Sequence, residues 1–256
     1  MKPSGSLPPA WHIEQTGTGD PVILLHHGLG CTRDWDGIAP HLAERYRVIA
    51  YDRPGYGRSA NTAPRQVLRE DAFEHDAEQL VVLLDQLEIT AAHIVGHSDG
   101  GTIGLIAAAR WPERVRSLVT EAAHIYFEEV GLASVRRVLE WGTHQPAGQE
   151  YLRTRHGEYG PQVLRMFADH WLQYTPVDWS LRSLLPAIRC ATLVIQGTKD
   201  NYGSEQQPRD IAAAIPGAEL WLLDGVGHDP HIEQAASYIS RVLTFLDAQP
   251  ACARTT

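Results

Sequence analysis

Residues 95–101 read Val-Gly-His-Ser-Asp-Gly-Gly. A short apolar run, Ala-Ala-His-Ile-Val, leads into them, and a longer one, Thr-Ile-Gly-Leu-Ile-Ala-Ala-Ala, follows. A short run and then a long one, with glycines between, reads as strand, tight turn and helix. Ser98 then sits at the turn itself. Gly96 and Gly100 let the backbone bend where a side chain would collide. Pro112 is expected to close the helix.

The segments on either side repeat this alternation. Apolar runs at 11–15, 22–25, 46–51, 115–119, 192–196 and 219–223 read as further strands. Ala77, Leu80, Val81, Leu84 and Leu87 form one face of a helix, and so do Ala235, Ile239, Val242 and Leu246 within 232–246. Another helix is expected at 209–215. Between residues 124 and 187 the alternation stops, and helical spacing takes over, as at Leu164, Phe167, Ala168 and Trp171. That quarter of the chain holds nine of its twenty aromatic residues, so it reads as a unit with its own apolar face. The expected fold is α/β: a mostly parallel sheet flanked by helices, with 1–123 and 188–256 as its core and 124–187 inserted between them.

In such sheets reactive groups gather beyond the carboxyl ends of the strands. Three turns fall at those ends: Gly96-His97-Ser98-Asp99-Gly100, Gly197-Thr198-Lys199-Asp200 and Gly225-Val226-Gly227-His228. The first has the G-x-S-x-G pattern of a nucleophile elbow. A serine hydroxyl is a weak nucleophile until a base takes its proton. His228 would be that base and would later protonate the leaving group. Asp200 would fix the imidazole tautomer and stabilise its cation. Asp224 is a rival acid, closer to His228 in the chain.

Five motifs in order carry a resemblance: His27-Gly28, the Asp52-Arg53-Pro54-Gly55-x-Gly57-x-Ser59 loop, the elbow, the Gly-x-x-Asp200 turn and the Gly-x-Gly-His228 turn. Over nearly its whole length the chain resembles the alpha/beta-hydrolase superfamily. The resemblance implies a Ser98–His228–Asp200 triad and an oxyanion hole made by the backbone N–H groups of Leu29 and Asp99. It also implies that 124–187 is a helical cap over the site. Gly-x-Ser-Asp-Gly-Gly, with the segment from Trp179 to Cys190, is similar to the biphenyl-hydrolase-like group that includes valacyclovir hydrolase. In that group the acid after the serine is associated with the ammonium group of an amino-acid ester, so Asp99 is a candidate for that role. This chain has His97 where that relative has tryptophan.

An aromatic-rich cap implies a largely apolar pocket. His124, Tyr126 and Phe127, at the end of a core strand, are expected to line it with Trp171 and Tyr202. The expected activity is hydrolysis of small carboxylic esters through an acyl-enzyme. Lactone opening, carbon–carbon bond hydrolysis and perhydrolysis use the same triad. A ligand-binding receptor or pseudoenzyme is the non-enzyme alternative. Epoxide hydrolases and dehalogenases need an acid as nucleophile, and this chain has Ser98.

The bulk properties narrow the partners. A net charge of −9 disfavours a nucleic-acid groove or an anionic membrane surface. No run of eighteen apolar residues is present, so no membrane span is expected. The first nine residues lack the apolar centre of a signal peptide. Cys31, Cys190 and Cys252 give neither a disulfide framework nor a metal-ligand spacing. His26-His27 and His228-Asp229-Pro230-His231 lack zinc-type spacing, so neither metal nor cofactor is expected. The expectation is a cytoplasmic monomer or homodimer acting on a small-molecule ester.

Overall fold

A computed structural model describes residues 11–61, 71–173 and 179–249. Met1–Pro9, Tyr174 and Cys252 of the sequence reading lie outside the described residues. The apolar runs form strands β1 (Ile13–Thr16), β2 (Pro21–Leu25), β3 (Arg47–Tyr51), β4 (Ala92–His97), β5 (Val115–Glu121), β6 (Ala191–Gly197) and β7 (Glu219–Leu223). They make one sheet in the order β1-β3-β2-β4-β5-β6-β7. The β1–β3 pair is antiparallel, and the other pairs are parallel. Among the described residues the helices are α1 (Ala39–Leu42), α2 (Ala72–Gln86), α3 (Asp99–Arg110), α4 (Glu129–His144), α5 (Pro146–His156), α6 (Gly160–Leu172), α7 (Gln206–Ala214), α8 (Pro230–Glu233) and α9 (Ala235–Asp247).

The two-residue period of a strand sorts the side chains between the sheet faces. Ile23, Leu25, Ile94, Leu118 and Val194 pack on one side with Leu80, Leu83 and Leu84 of α2 and Ile103 and Ile106 of α3. Val22, Leu24, Val95, Val119 and Leu193 pack on the other with Leu42 of α1 and Tyr238, Val242 and Phe245 of α9. Each such side chain, fully buried, contributes about 1.5–3 kcal/mol relative to exposure. With both faces covered, the carboxyl edge of the sheet is where turns can hold reactive groups.

Between β5 and β6 lie α4, α5 and α6, which contact one another. The face predicted from Leu164, Phe167, Ala168 and Trp171 is buried at all four positions. The closing helix departs from expectation. The 232–246 segment is divided at Gln234, whose φ of −132° and ψ of 43° are not helical. His231 is drawn into the interior by Glu121, which turns Ile232 outward to 64% exposure. β5 runs two residues beyond the expected end, to Glu121, and α7 starts three residues early, at Gln206. Among the described residues no helix is long and apolar enough to cross a membrane.

Candidate active site

Ser98 joins β4 to α3 with φ 55° and ψ −118°. A non-glycine residue held there stores about 1–3 kcal/mol of strain, so its surroundings must impose it. The Ser98 N–H donates to the Glu121 carbonyl at 2.7 Å, and the Thr102 N–H donates to the Ser98 carbonyl at 3.0 Å. A Cβ on Gly100 would run into the Leu25 carbonyl oxygen, and one on Gly96 into the Gly100 carbonyl. The glycines therefore let α3 start hard against β2 and β4, which forces the serine onto the tip of the turn.

The turns after β6 and β7 bring Asp200 to His228. Both carboxylate oxygens of Asp200 lie 2.9 Å from His228 Nδ1. Asp200 also accepts the Tyr202 N–H at 2.7 Å. Burial raises the Asp200 carboxyl, but the His228 charge and hydrogen bond outweigh it and hold the group below its ordinary value. Burial likewise lowers His228, and Asp200 more than reverses this, so the imidazole titrates above its ordinary 6.5. With Nδ1–H given to Asp200, Nε2 is the nitrogen left for proton transfer. The Tyr202 ring lies against His228, tilted by 37°, with centroids 4.4 Å apart. Asp224 instead accepts from the Thr198 hydroxyl at 3.1 Å.

The turn after β2 is tied from three directions. Gly30 N–H closes it onto the His27 carbonyl at 3.1 Å. Buried Arg53 donates to the His27 carbonyl at 3.0 Å and pairs with Asp76 at 2.6 Å. Asp52 accepts the Thr32 and Arg58 N–H groups at 2.6 and 2.7 Å. The Asp-Arg-Pro-Gly motif thus braces this turn. From α5, His156 Nδ1 accepts the Gly57 N–H at 2.9 Å, which leaves Nε2–H to donate to the Leu29 carbonyl at 3.0 Å. Burial holds His156 neutral, down to about 4. The Leu29 N–H makes a long 3.3 Å contact to His27 Nδ1. Asp99 supplies the first N–H of α3, the helix end with partial positive charge.

Ser98, His124, Trp171 and Tyr202 come together on one small cavity of about 30 Å³, with Val135 and Phe167 completing its apolar wall. A second opening of about 240 Å³ is lined by Leu29 and His228 together with His27, Trp141 and Tyr151, three residues that the sequence reading did not place in a substrate pocket. The Asp99 carboxylate is buried and lies with the Phe167 ring over Gly28. Tyr126 and Phe127 are placed elsewhere. The Tyr126 hydroxyl donates to Asp210 at 3.2 Å under the Arg182 guanidinium, and Phe127 packs between Trp171 and Trp179.

Behind His228 lies a polar cluster that sequence reasoning missed. His97 Nε2 is 2.9 Å from the His228 carbonyl, and its ring stands 5.0 Å from the His228 ring. Glu121 Oε1 accepts both the His231 N–H at 2.9 Å and its Nδ1–H at 2.8 Å. Burial pushes Glu121 up, but the His231 and His97 charges overcome it and bring the carboxyl down to about 2. Burial lowers His231, and Glu121 raises it by more. Among the described residues, His97, Glu121 and His231 bring potential metal-ligand atoms within 4.8 Å of one another. Glu121 and His231 form a buried ion pair behind the His228 turn, and His97 is tied to that turn through the His228 carbonyl.

The model of the alpha/beta hydrolase fold family matches residues 21–141. A 2-hydroxymuconate semialdehyde hydrolase from Pseudomonas sp. (strain CF600) is 31% identical over 264 residues, covering 94% of this chain and 92% of that protein. The serine hydrolase BPHL of Mus musculus is 29% identical over 248 residues, 92% of this chain and 82% of that protein. The crystal structure of the enol-lactonase from Burkholderia xenovorans LB400 superposes with a TM-score of 0.73 at 25% identity, covering 93% of this chain and 96% of that one.

Proposed function

The chain belongs to the alpha/beta hydrolase fold family and is a hydrolase, and from that premise we propose that it cleaves small carboxylic esters through an acyl-enzyme on Ser98. One observation carries the reading: Asp200 grips His228 at Nδ1 with both oxygens at 2.9 Å, which points its basic Nε2 to the work of proton transfer. Ser98 Oγ attacks the ester carbonyl carbon as its proton passes to His228 Nε2. The carbonyl π pair moves to oxygen, where the N–H groups of Leu29 and Asp99 receive it. Leu29 gives up only its long contact to His27 in doing so. Removing one donor of this kind typically raises the barrier by about 3 kcal/mol. Collapse of the intermediate expels the alkoxide, which takes the proton from His228. Water, deprotonated by the same nitrogen, then attacks the acyl-enzyme and frees the acid and Ser98.

Helices α4, α5 and α6 serve as a cap in this reading and make the site water-poor. Asp99, buried beside Phe167, is the residue we assign to a substrate ammonium group when the ester carries one. A second reading has support in the relatives. Among them are proteins named as a 2-hydroxymuconate semialdehyde hydrolase and an enol-lactonase, and lactone or carbon–carbon bond hydrolysis would use the same residues. Turnover of p-nitrophenyl acetate and butyrate, a simple lactone and valine esters, each against a Ser98→Ala blank, tests both. Ester turnover that the blank lacks supports the first reading. Lactone turnover alone favours the second. No turnover of any of them, with tight ligand retention, would make the protein a receptor.

A further inference from the structure

Two polar atoms on residues that wall the Ser98 cavity have no partner within the protein: His124 Nδ1 and Trp171 Nε1. Both residues are only 4% exposed, and their rings meet nearly at right angles with centroids 5.1 Å apart. Buried polar atoms are rarely left without a hydrogen bond, so these two mark a place where a ligand group completes the set.

The chemistry of that group follows from which atom carries a proton. The Nε2 edge of His124 lies against the Gly203 backbone, where the Tyr202 carbonyl is the acceptor open to its proton, so we assign the ring proton to Nε2. Burial, reinforced by His228, lowers His124 to about 4, and the ring is neutral at pH 7. Nδ1 is then a bare lone pair that can only accept. Trp171 Nε1–H can only donate. A single atom that satisfies both must donate and accept, as a hydroxyl does. An ammonium group leaves the Trp171 N–H unmet. A carboxylate meets the His124 lone pair with its own. An alkyl group satisfies neither.

Position decides which part of the substrate bears the hydroxyl. A leaving alcohol takes its proton from His228, which lines the larger opening, so the alcohol lies on that side. The Ser98 cavity is left for the acyl chain, and its roughly 30 Å³ accommodates one or two waters, or a short arm ending in one hydroxyl. We propose that this cavity is a subsite for a hydroxyl on C2 or C3 of a short acyl chain, which donates to His124 Nδ1 and accepts from Trp171 Nε1. The side of the substrate rests on the ester reading; the recognition of a hydroxyl does not.

Three matched pairs of ethyl esters test it, glycolate against acetate and each enantiomer of 3-hydroxybutyrate against butyrate. The wild type should show a kcat/KM at least 30-fold higher for the hydroxylated member of one pair, since a site built to hydrogen-bond a hydroxyl discriminates strongly against its absence. In His124→Phe and in Trp171→Phe that ratio should fall below threefold. The free acids, titrated calorimetrically into Ser98→Ala protein, should show at least a tenfold preference in Kd for the same hydroxy acid. Esters turned over with a ratio near one, and acids bound equally, would overturn the subsite and leave the ester reading standing. A preference among the acids with no ester turnover would keep the subsite and remove the ester reading. If either phenylalanine variant fails to fold, the wild-type ratio and the acid titration decide alone.

Discussion

Replacing Glu121 with glutamine keeps the acceptor oxygen of a fully buried side chain and removes its charge. The structure sets the size of the effect. Burial by itself raises this carboxyl, yet His231 and His97 bring it from an ordinary 4.5 down to about 2. At about 1.4 kcal/mol per pKa unit, the charged form is favoured in the folded protein by about 3 kcal/mol. A pKa lower in the folded state gives stability that is complete above about pH 4.5 and lost as pH falls through about 2. His231 is raised, so its share is complete below about 6.5 and lost as pH climbs through its raised value. The pair therefore stabilises most between about pH 4.5 and 6.5. Urea unfolding at pH 6 should show Glu121→Gln less stable by about 3 kcal/mol, with Tm lower by about 6–12 °C for a chain of this size. Near pH 2.5 the deficit should shrink, because the wild type is then losing the same contribution. A variant within about 0.5 kcal/mol of wild type at pH 6 would refute the reasoning, and so would a deficit equal at both pH values.

Ester hydrolysis should rise with pH and level off above 6.5, because His228 must lose its proton to act and Asp200 raises its pKa; a pH–kcat/KM profile with its midpoint below 6 contradicts this. Asp200→Asn should lower kcat on the order of 10⁴-fold, whereas Asp224→Asn, bonded to Thr198, should stay within about threefold; steady-state kinetics on both variants decide which acid orients the histidine. Asp99→Ala should lose about 30-fold or more in kcat/KM for valine esters relative to matched esters without the amino group, since it strands a desolvated charge; equal losses on both would leave Asp99 as a helix-end residue. Dialysis against EDTA should leave ester turnover within about twofold, and activity restored only by zinc would assign the His97–Glu121–His231 cluster a metal.

The features legible in the sequence are those written in local periodicity. The sheet-forming runs, the face of α6 and the elbow around Ser98 each declare themselves within a dozen residues. The cluster behind His228 does not, because Glu121 and His231 are 110 residues apart and neither spacing nor composition links them. An acid at the end of a strand, two residues past the apolar pair Leu118-Val119, is the available signal for Glu121. The division of the closing helix follows from the same contact, since His231 is pulled inward against the pattern around it. Tyr126 was misplaced for a similar reason. Its position at a strand end suggested the pocket, but Arg182 and Asp210, both far along the chain, decide where its ring goes. The tie between His156 and the Leu29 turn spans 127 residues and is equally invisible in sequence.

The central claim is that Ser98 carries the acyl group. Wild-type protein treated with a fluorophosphonate should gain the mass of one adduct, and peptide mapping should place it on Ser98, at the turn between β4 and α3. His228→Ala should label far more slowly, because nothing then takes the serine proton. An adduct on another serine, or none on Ser98 in protein that turns over esters, would contradict the account.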